Sequence, residues 1–308
     1  MKHPPKNIVQ SIHDRLKNKS EERDETFNFL LIRYGLERLI HRLAISEYSD
    51  QFILKGALLF EVWTQEPHRS TKDIDFTISM SKNIPELEHI FRDLCEISPT
   101  QIDGLVYLPD SVRGQTIRDS QKHGGIRIKM MARLGNARIP LQIDIGFGDT
   151  IIPKPVDIKY PSLLDMESSP IKGYRQETTI AEKFQSMVSK GIANSRMKDY
   201  YDIFYLSHLF TFKGNAIKSA IIATFNERNT NIPVKTPLAL SNEFSNDPDK
   251  QKQWEAFQSK VNPLMNDINL ESVVPRLESF LMPATQAALK DSSFHFKWDP
   301  NQTEWTPK

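Results

Sequence analysis

The first hydrophobic pattern along the chain is helical and lies in residues 7–46. Apolar residues recur there at steps of three and four, which places them on one face of an α-helix. The positions are Leu30, Leu31, Tyr34, Leu36, Leu39, Ile40 and Leu43. Acidic residues follow Ser20 and favour the positive end of a helix dipole, so a helix start is predicted there. Residues 7–46 are therefore expected to form two helices that pack on a core further along the chain.

Residues 52–147 show shorter apolar runs and a period of two. The segment FILKGALLFEVW is interrupted at Lys55-Gly56, and residues 57–63 are predicted to form a helix after that turn. DIDFTIS has the alternation of a strand, and residues 84–96 have helical periodicity. Four further strands are predicted from GLVYL, SVRGQTI, GGIRIKMMARL and RIPLQIDIGFG. Consecutive strands with short turns favour an antiparallel or mixed sheet.

The pattern changes again after residues 152–161, which contain three prolines and predict an extended connector. Residues 290–308 mix aromatic with polar residues and are expected to be loosely held. Helices are predicted at 177–190, 195–209, 214–228, 247–261 and 268–289. The predicted fold class is α/β (α+β), with a mixed sheet, flanking helices and a helical C-terminal domain. The expected domains are packing helices in 1–50, a core in 51–160 and a helical domain in 161–308.

Composition narrows the class of protein. The 308 residues are 39% hydrophobic and 26% charged, which suits a packed core rather than global disorder. A net charge of +1 argues against a chain that coats nucleic acid along its whole length. Cys95 is the only cysteine, which excludes an internal disulfide and a cysteine-based zinc site. Without an apolar leader or a membrane-length apolar run, a cytoplasmic protein is expected.

Two aspartates stand one residue apart in the strand pattern of residues 70–79. Because side chains in a strand alternate between faces, Asp73 and Asp75 point to the side opposite Ile74 and Phe76. Like charges that close repel each other unless a cation lies between them or one is protonated. The pair is therefore either a solvated polar face or half of a divalent-metal site.

A third aspartate makes the metal hypothesis stronger. In RIPLQIDIGFGD the isoleucines and Leu141 occupy one face, and Asp144 lies on the other beside Gln142. An acid in an otherwise apolar strand is costly to bury unless it has a partner. If this strand pairs with that of Asp73 and Asp75, the three carboxylates form an all-oxygen site suited to Mg²⁺.

A turn and a basic segment are candidates for binding phosphate. Gly56 follows Lys55 at a strand-to-helix turn, where backbone N–H groups can approach a phosphate, although an ordinary turn is the simpler explanation. Residues 111–140 hold one acid, Asp119, and seven basic residues: Arg113, Arg118, Lys122, Arg127, Lys129, Arg133 and Arg138. That excess suits a triphosphate or an RNA backbone, and equally a solvated sheet face.

A further cluster is predicted on the helices of residues 177–206. Lys183 borders an apolar stripe, and Arg196, Asp199 and Asp202 follow at three-residue steps. Lys183 near either acid is a structural ion pair or a cation that meets phosphate, and the residues alone favour the structural pair. The eight histidines show no metal-ligand spacing, and the chain has no Walker loop, G-x-S-x-G or H-E-x-x-H. His68 precedes Arg69 near the acidic pair and is expected to line the same cleft.

Taken in order, these segments resemble a known family. FILKGALLFEVWTQEPHRSTKDIDF resembles the glycine-then-D-x-D signature of the nucleotidyltransferase fold shared with DNA polymerase beta, and more closely that of the AbiEii/AbiGii toxin family. GIRIKMMARLGNARIPLQIDIGFGD and ETTIAEKFQSMVSKGIANSRMKDYYDI are similar to the later motifs of that family. The resemblance runs from about residue 50 to about residue 225. It implies a nucleotidyltransferase core, followed by a helical domain.

The resemblance also implies roles for individual residues. Catalytic roles fall on Asp73, Asp75, Asp144, Lys183, Asp199 and Asp202, with the first three binding Mg²⁺, or Mn²⁺ as an alternative. Nucleotide contacts are expected from Lys55, Gly56, Ala57, Arg69, Ser70, Thr71, Arg127, Lys129 and Arg196. The fold often has a hydroxyl residue directly after the glycine, whereas this chain has Ala57, so Ser70 and Thr71 are candidates to replace it.

The expected activity follows from that family. It is transfer of a nucleoside monophosphate from an NTP to an acceptor, with release of pyrophosphate. The acceptor would be RNA, at the 3′ end of tRNA, and the chain would be a toxin with a separate antitoxin in an abortive-infection or phage-defence system. Transfer to a protein or small-molecule hydroxyl, and a non-catalytic protein that binds nucleic acid or a partner, remain the alternatives.

Overall fold

The computed structural model describes residues 6–66, 68–69, 71–117, 124–148, 151–261 and 268–307. The chain forms two compact units. The first comprises residues 1–149 and 156–173, and the second comprises residues 150–155 and 174–308. A unit here is a part of the chain whose residues contact one another more than they contact the rest. The domain boundaries expected from the sequence, at residues 50 and 160, stay a prediction.

Two helices open the first unit, α1 (Lys6–Arg23) and α2 (Phe27–Ala44). The helix start predicted at Ser20 is wrong, because Ser20 lies within α1. Asp24 has a left-handed φ of 51°, which ends α1. Thr26 then caps α2 by accepting a hydrogen bond from the N–H of Phe29 at 3.4 Å.

A seven-stranded mixed sheet forms the body of the first unit, which confirms the predicted fold class. Its elements are β1 (Phe52–Lys55), α3 (Leu58–Thr64), β2 (Asp73–Ile78), α4 (Ile84–Glu96), β3 (Leu105–Ile117), β4 (Gly125–Leu134), β5 (Ala137–Phe147), β6 (Val156–Tyr160) and β7 (Ser169–Gly173). The strand order is β3-β4-β5-β2-β1-β7-β6. The β2–β5 and β1–β7 pairs are parallel and the other pairs are antiparallel.

Two details of the strands differ from the predictions. The segments GLVYL and SVRGQTI form one strand, β3, whose register shifts between Leu108 and Arg113. Pro109 lacks an N–H for the ladder, and Ser111 bridges the irregularity by accepting from the N–H of Met131 at 2.8 Å. The predicted connector is wrong for Val156–Tyr160, which is the edge strand β6 paired with the unpredicted strand β7. Prolines are tolerated beside an edge strand, so they did not prevent pairing.

One face of the sheet is buried and the other is open. Ile139, Leu141, Ile143 and Ile145 of β5 are each at most 2% exposed. Gly35 of α2 packs directly on this face, where a Cβ would lie 3.0 Å from the Leu141 side chain. Since side chains alternate along a strand, the polar residues of β2, β4 and β5 are collected on the opposite face.

The second unit is helical. It contains α5 (Gln176–Lys190), α6 (Met197–Leu209), α7 (Gly214–Glu227), α8 (Asn242–Asn246), α9 (Pro248–Val261), α10 (Leu270–Leu289), β8 (Phe296–Asp299) and β9 (Glu304–Pro307), with short 3₁₀ helices at Gly191–Ala193 and Leu238–Leu240. The expectation of a loosely held C-terminus is wrong for the described residues. Trp298 of the β8–β9 hairpin is fully buried, and its indole N–H donates to the carbonyl of Ser207 at 2.7 Å. Trp305 stacks on Phe280 with ring centroids 5.7 Å apart.

No helix in the described ranges is long and apolar enough to cross a membrane.

Candidate active site

The three aspartates are brought together by the sheet register. Asp75 of β2 lies directly opposite Asp144 of β5, and Asp73 lies opposite Gln142. Partners in register point to the same face, so Asp73, Asp75 and Asp144 form one acidic group, called the acidic triad from here on. The strand pairing that the metal hypothesis required is present. The roles assigned to these residues stay predictions.

The position of Gly56 suits glycine for two reasons, its backbone conformation and its closeness to Asp75 of the acidic triad. Its φ is +77°, a left-handed conformation that favours glycine. A Cβ on Gly56 would lie 2.1 Å from one carboxylate oxygen of Asp75, closer than any two such atoms can approach. The glycine therefore allows the turn and also leaves the space that the Asp75 side chain fills. Lys55, just before it, lies opposite Asp75 in the β1–β2 register.

Arg127 holds the third acid in a bidentate contact. From β4, directly opposite Asp144, it donates from Nε at 2.8 Å and from Nη2 at 2.7 Å to the two carboxylate oxygens. The hydrogen bond to Asp144 raises the pKa of Arg127, and the charges of Asp144, Asp73 and Asp75 add to that direction although burial opposes it. The Arg127 side chain keeps 30% of its surface exposed. It therefore balances part of the negative charge of the acidic triad while staying in contact with solvent.

The loop before β2 contributes Thr71, whose hydroxyl donates to Asp73 at 2.5 Å. This contact orients the first acid. Ser70, the other candidate hydroxyl, lies outside the described residues, and Arg69 is half-buried. The expectation that His68 lines a cleft is wrong, because His68 is 4% exposed and stacks on Phe60 at 4.0 Å. Ala57 is the N-cap of α3, a helix of only seven residues, and has no side chain that could cap it with a hydrogen bond.

A divalent ion fits the chemistry of the acidic triad. Carboxylate oxygens are the ligands that Mg²⁺ prefers, and here they come from one open sheet face. In the described parts of the chain, no three His, Cys, Asp or Glu side chains already surround a point where a metal could lie. At the acidic triad, both oxygens of Asp144 instead accept hydrogen bonds from Arg127. Asp73 and Asp75 could hold an ion directly, and Asp144 could join once Arg127 withdraws from one oxygen.

Basic residues continue along the same sheet face. Arg113 lies opposite Lys129 across β3 and β4, and Arg133 lies opposite Arg138 across β4 and β5. All four are exposed. Like charges directly opposite each other destabilise a sheet, so these pairs carry a cost that a bound anion would relieve. The basic residues Arg118 and Lys122, and the acid Asp119, lie outside the described residues.

The second unit carries its own group of charges. Lys183 of α5 lies 3.0 Å from Asp199 and 2.7 Å from Asp202, both on α6. Arg196 adds a contact from Nε to Asp199 at 2.6 Å. Both aspartates are fully buried, and Lys183 is 9% exposed. These four residues are called the buried ion cluster from here on.

The buried ion cluster is held by charge balance. Burial alone would raise the pKa of Asp199, but Lys183 and Arg196 outweigh it and the net direction is down. The two carboxylates and Lys183 are removed from water, whereas the Arg196 side chain reaches Asp199 from a partly exposed position. Lys183 therefore pairs with both acids, and the choice between a structural and a catalytic role for it stays a prediction.

Sequence reasoning missed the partnership of Arg127 with Asp144 and the packing of Gly56 against Asp75. The contact between Arg127 and Asp144 could have been predicted from the sequence. Gly135 and Asn136 join β4 to β5 in a two-residue turn, and counting outward from that turn pairs Arg127 with Asp144. The packing of Gly56 against Asp75 had no such signal, because helix α3 and a loop separate β1 from β2 and no tight turn sets their register.

Comparisons with known proteins gave matches to a family model and to solved structures. A family model described as the nucleotidyl transferase AbiEii toxin of type IV toxin–antitoxin systems matches residues 38–290. The crystal structure of JHP933 from Helicobacter pylori is 15% identical, with 85% of this chain and 94% of that chain covered and a TM-score of 0.48. A second H. pylori protein, provisionally described as a nucleotidyltransferase, is 14% identical over 84% and 96% of the two chains, with a TM-score of 0.47. No curated protein matches the sequence.

The family model spans most of the chain and includes every residue of the acidic triad and the buried ion cluster. The chain therefore belongs to the AbiEii family of nucleotidyltransferase toxins from type IV toxin–antitoxin systems, which makes it a nucleotidyltransferase with a nucleotide as substrate and an antitoxin as partner.

Proposed function

We propose that the chain transfers a nucleoside monophosphate from an NTP to the 3′ end of an RNA, with tRNA as the acceptor, and uses Mg²⁺ bound by the acidic triad. Mn²⁺ is the alternative ion. The transfer would inactivate RNA needed for translation, which explains a toxin in abortive infection and phage defence. The observation that carries the proposal is the β2–β5 register, which sets Asp75 opposite Asp144 with Asp73 on the same face.

The chemistry is an in-line displacement at the α-phosphorus. The acceptor hydroxyl forms a bond to that phosphorus while the bond to the bridging oxygen breaks and pyrophosphate leaves. A divalent ion bound by the acidic triad would supply positive charge for the phosphate oxygens. Asp73 and Asp75 would hold that ion, with Asp73 oriented by Thr71. Asp144 would complete the ligand set and could accept the proton of the attacking hydroxyl.

The basic residues of the open face favour RNA as the acceptor. Along β4 the side chains of Arg127, Lys129 and Arg133 follow one face over about 20 Å. Among the described residues, no ion pair involves Lys129, Arg133 or Arg138. Regularly spaced cations that face each other without acids suit a chain of phosphates. A small-molecule or protein hydroxyl would not use so long a row.

The remaining residues have proposed roles of their own. Lys55, Gly56, Ala57, Arg69, Thr71, Arg127 and Lys129 are proposed to contact the nucleotide, as is Arg196. Lys183, Asp199 and Asp202 are proposed as catalytic residues on the resemblance to the family. Their burial and charge balance support a structural role just as well, so activity and stability need to be measured together.

A label-transfer assay tests the proposal. The purified protein is incubated with Mg²⁺, each α-labelled NTP in turn, total RNA and cell extract. Label on tRNA is expected with the wild type, and Asp73→Asn and Asp75→Asn should reduce it at least about 100-fold, because the ion's charge stabilisation is worth several kcal/mol. Asp110→Asn, which changes an exposed acid of the same sheet, is the matched control and should keep activity.

The outcomes separate the alternatives. Label on protein would retain the site and replace the acceptor. Label on tRNA that survives both substitutions would remove the acidic triad from the reaction. No label in any reaction, together with growth arrest that persists in Asp73→Asn, would leave a non-catalytic protein.

A further inference from the structure

Arg127 competes with a metal ion for Asp144. Both oxygens of Asp144 accept hydrogen bonds from the guanidinium, at 2.8 and 2.7 Å. An ion that uses Asp144 needs at least one of these oxygens in a near-octahedral geometry. A permanent positive charge in contact with the same carboxylate also repels a second cation. The contact seen here therefore weakens the site for a free divalent ion.

The Arg127 side chain can move away from Asp144. Arg127 is 30% exposed, so it is not locked by packing. With the Gln142 amide oxygen turned towards it, Gln142 accepts from Nε and Nη2 at 3.3 Å and offers a second partner beside Asp144. The guanidinium plane matches a phosphate as well as it matches a carboxylate. A triphosphate can therefore replace Asp144 as the partner of Arg127 without leaving the arginine unpaired.

We propose that Arg127 exchanges partners when substrate binds: it holds Asp144 until a metal–nucleotide complex arrives, then binds the triphosphate while Asp144 ligates the ion. The inference rests on the proposed function, since it concerns the same acidic triad. The ion alone would bind weakly, because Arg127 still holds Asp144. The nucleotide alone would bind weakly, because Arg127 would have to leave Asp144 without an ion to replace it. The two together would bind in a mutually dependent way.

The test measures ion binding without any turnover. Mn²⁺ is titrated into the protein without nucleotide, and the unbound ion is followed by electron paramagnetic resonance. Arg127→Gln removes the competing charge and should bind Mn²⁺ about tenfold or more tightly than the wild type. Lys129→Gln is the matched control, because it removes a cation two residues along the same face that has no contact with Asp144. It should change the affinity by about twofold at most.

For nucleotide binding, Arg127→Gln is expected to lower the affinity, whereas it raises the affinity for the free ion. With Mn²⁺ present, the affinity for a non-hydrolysable NTP analogue should fall about tenfold in Arg127→Gln, because the bidentate phosphate contact is lost. Arg127→Lys keeps the charge without the planar contact and should lie between the wild type and Arg127→Gln in both titrations. Thermal unfolding of each variant shows that the comparison is made between folded proteins.

Unchanged or weaker Mn²⁺ binding in Arg127→Gln overturns the exchange, and so does an equal gain in Lys129→Gln. If Mn²⁺ binds the wild type tightly without nucleotide and Arg127 has no influence, the exchange fails while the proposed function stands. If no variant binds Mn²⁺ with or without nucleotide, the proposed function fails together with the exchange.

Discussion

The acidic triad of the sheet unit and the buried ion cluster of the helical unit both set carboxylates against cationic side chains, but their exposure to water differs. Asp144 and Arg127 keep 18% and 30% of their side chains exposed. Asp199 and Asp202 keep none. Charges near water can exchange partners at small cost, whereas charges removed from water depend on each other. The first arrangement suits a group that must bind and release substrate, and the second suits a fixed scaffold.

The largest expected effect comes from a matched pair of substitutions. Asp199→Asn removes the charge of the buried acid that both Lys183 and Arg196 contact, and should lower the free energy of unfolding by about 3–5 kcal/mol. Asp144→Asn changes a partly exposed pair and should cost about 1 kcal/mol or less. Urea unfolding of both variants checks the contrast. Equal losses would show that the two groups of charges do not differ in the way their burial indicates.

Glu37 tests burial that a neighbouring cation does not fully offset, because Arg38 lies 3.6 Å from its carboxylate and the net effect on its pKa is still upward. Burial raises its pKa to about 7, although hydrogen bonds from Leu163 and Ser162 oppose this. Between the unfolded value near 4.5 and the folded value, the folded state binds more protons, so stability falls as pH rises through this window. Unfolding measured from pH 4 to pH 8 should show a loss of up to about 3 kcal/mol that Glu37→Gln removes. An unchanged pH dependence in the variant would assign the loss to other groups.

Gly56→Ala tests whether label transfer depends on the position of the Asp75 carboxylate in the acidic triad. The new Cβ would push the Asp75 carboxylate aside, and a displacement of that size can reduce label transfer about 100-fold. The left-handed backbone adds a stability cost of about 1–2 kcal/mol. Gly148→Ala is the control, because Gly148 has a φ of +69° and no atom within 4 Å of the new Cβ. It should share the stability cost and keep activity.

Arg196→Gln should have the smallest effect on stability, and it separates the contribution of Arg196 to the buried ion cluster from that of Lys183. The Arg196 side chain is 43% exposed, so its pair with Asp199 should be worth about 1 kcal/mol or less in urea unfolding. Lys183→Met, which removes the buried cation between two acids, should cost several times more. A loss of label transfer in Arg196→Gln with full stability would indicate a role at the substrate.

Local pattern predicted much of this molecule. The helix of residues 84–96 and the alternation of β2, β4 and β5 are set by neighbours a few residues away, so periodicity was enough. The Arg127–Asp144 contact was within reach by counting from the Gly135-Asn136 turn. By contrast, β7 pairs with β1, and the β8–β9 hairpin packs against Ser207 and Phe280, all of which are distant in the chain. The packing of Trp298 and Trp305 shows how tertiary contacts ordered a segment whose composition indicated looseness.

The edge strand β6 has a consequence for how the protein behaves in concentrated solution. An unpaired strand edge can recruit strands from other molecules and start aggregation. β6 is only five residues long, is bounded by Pro155 and Pro161, and displays Asp157 and Lys159 to solvent. Short length, flanking prolines and exposed charge are the features that block such recruitment. The prolines that made this segment resemble a connector therefore protect one margin of the sheet from joining a neighbour.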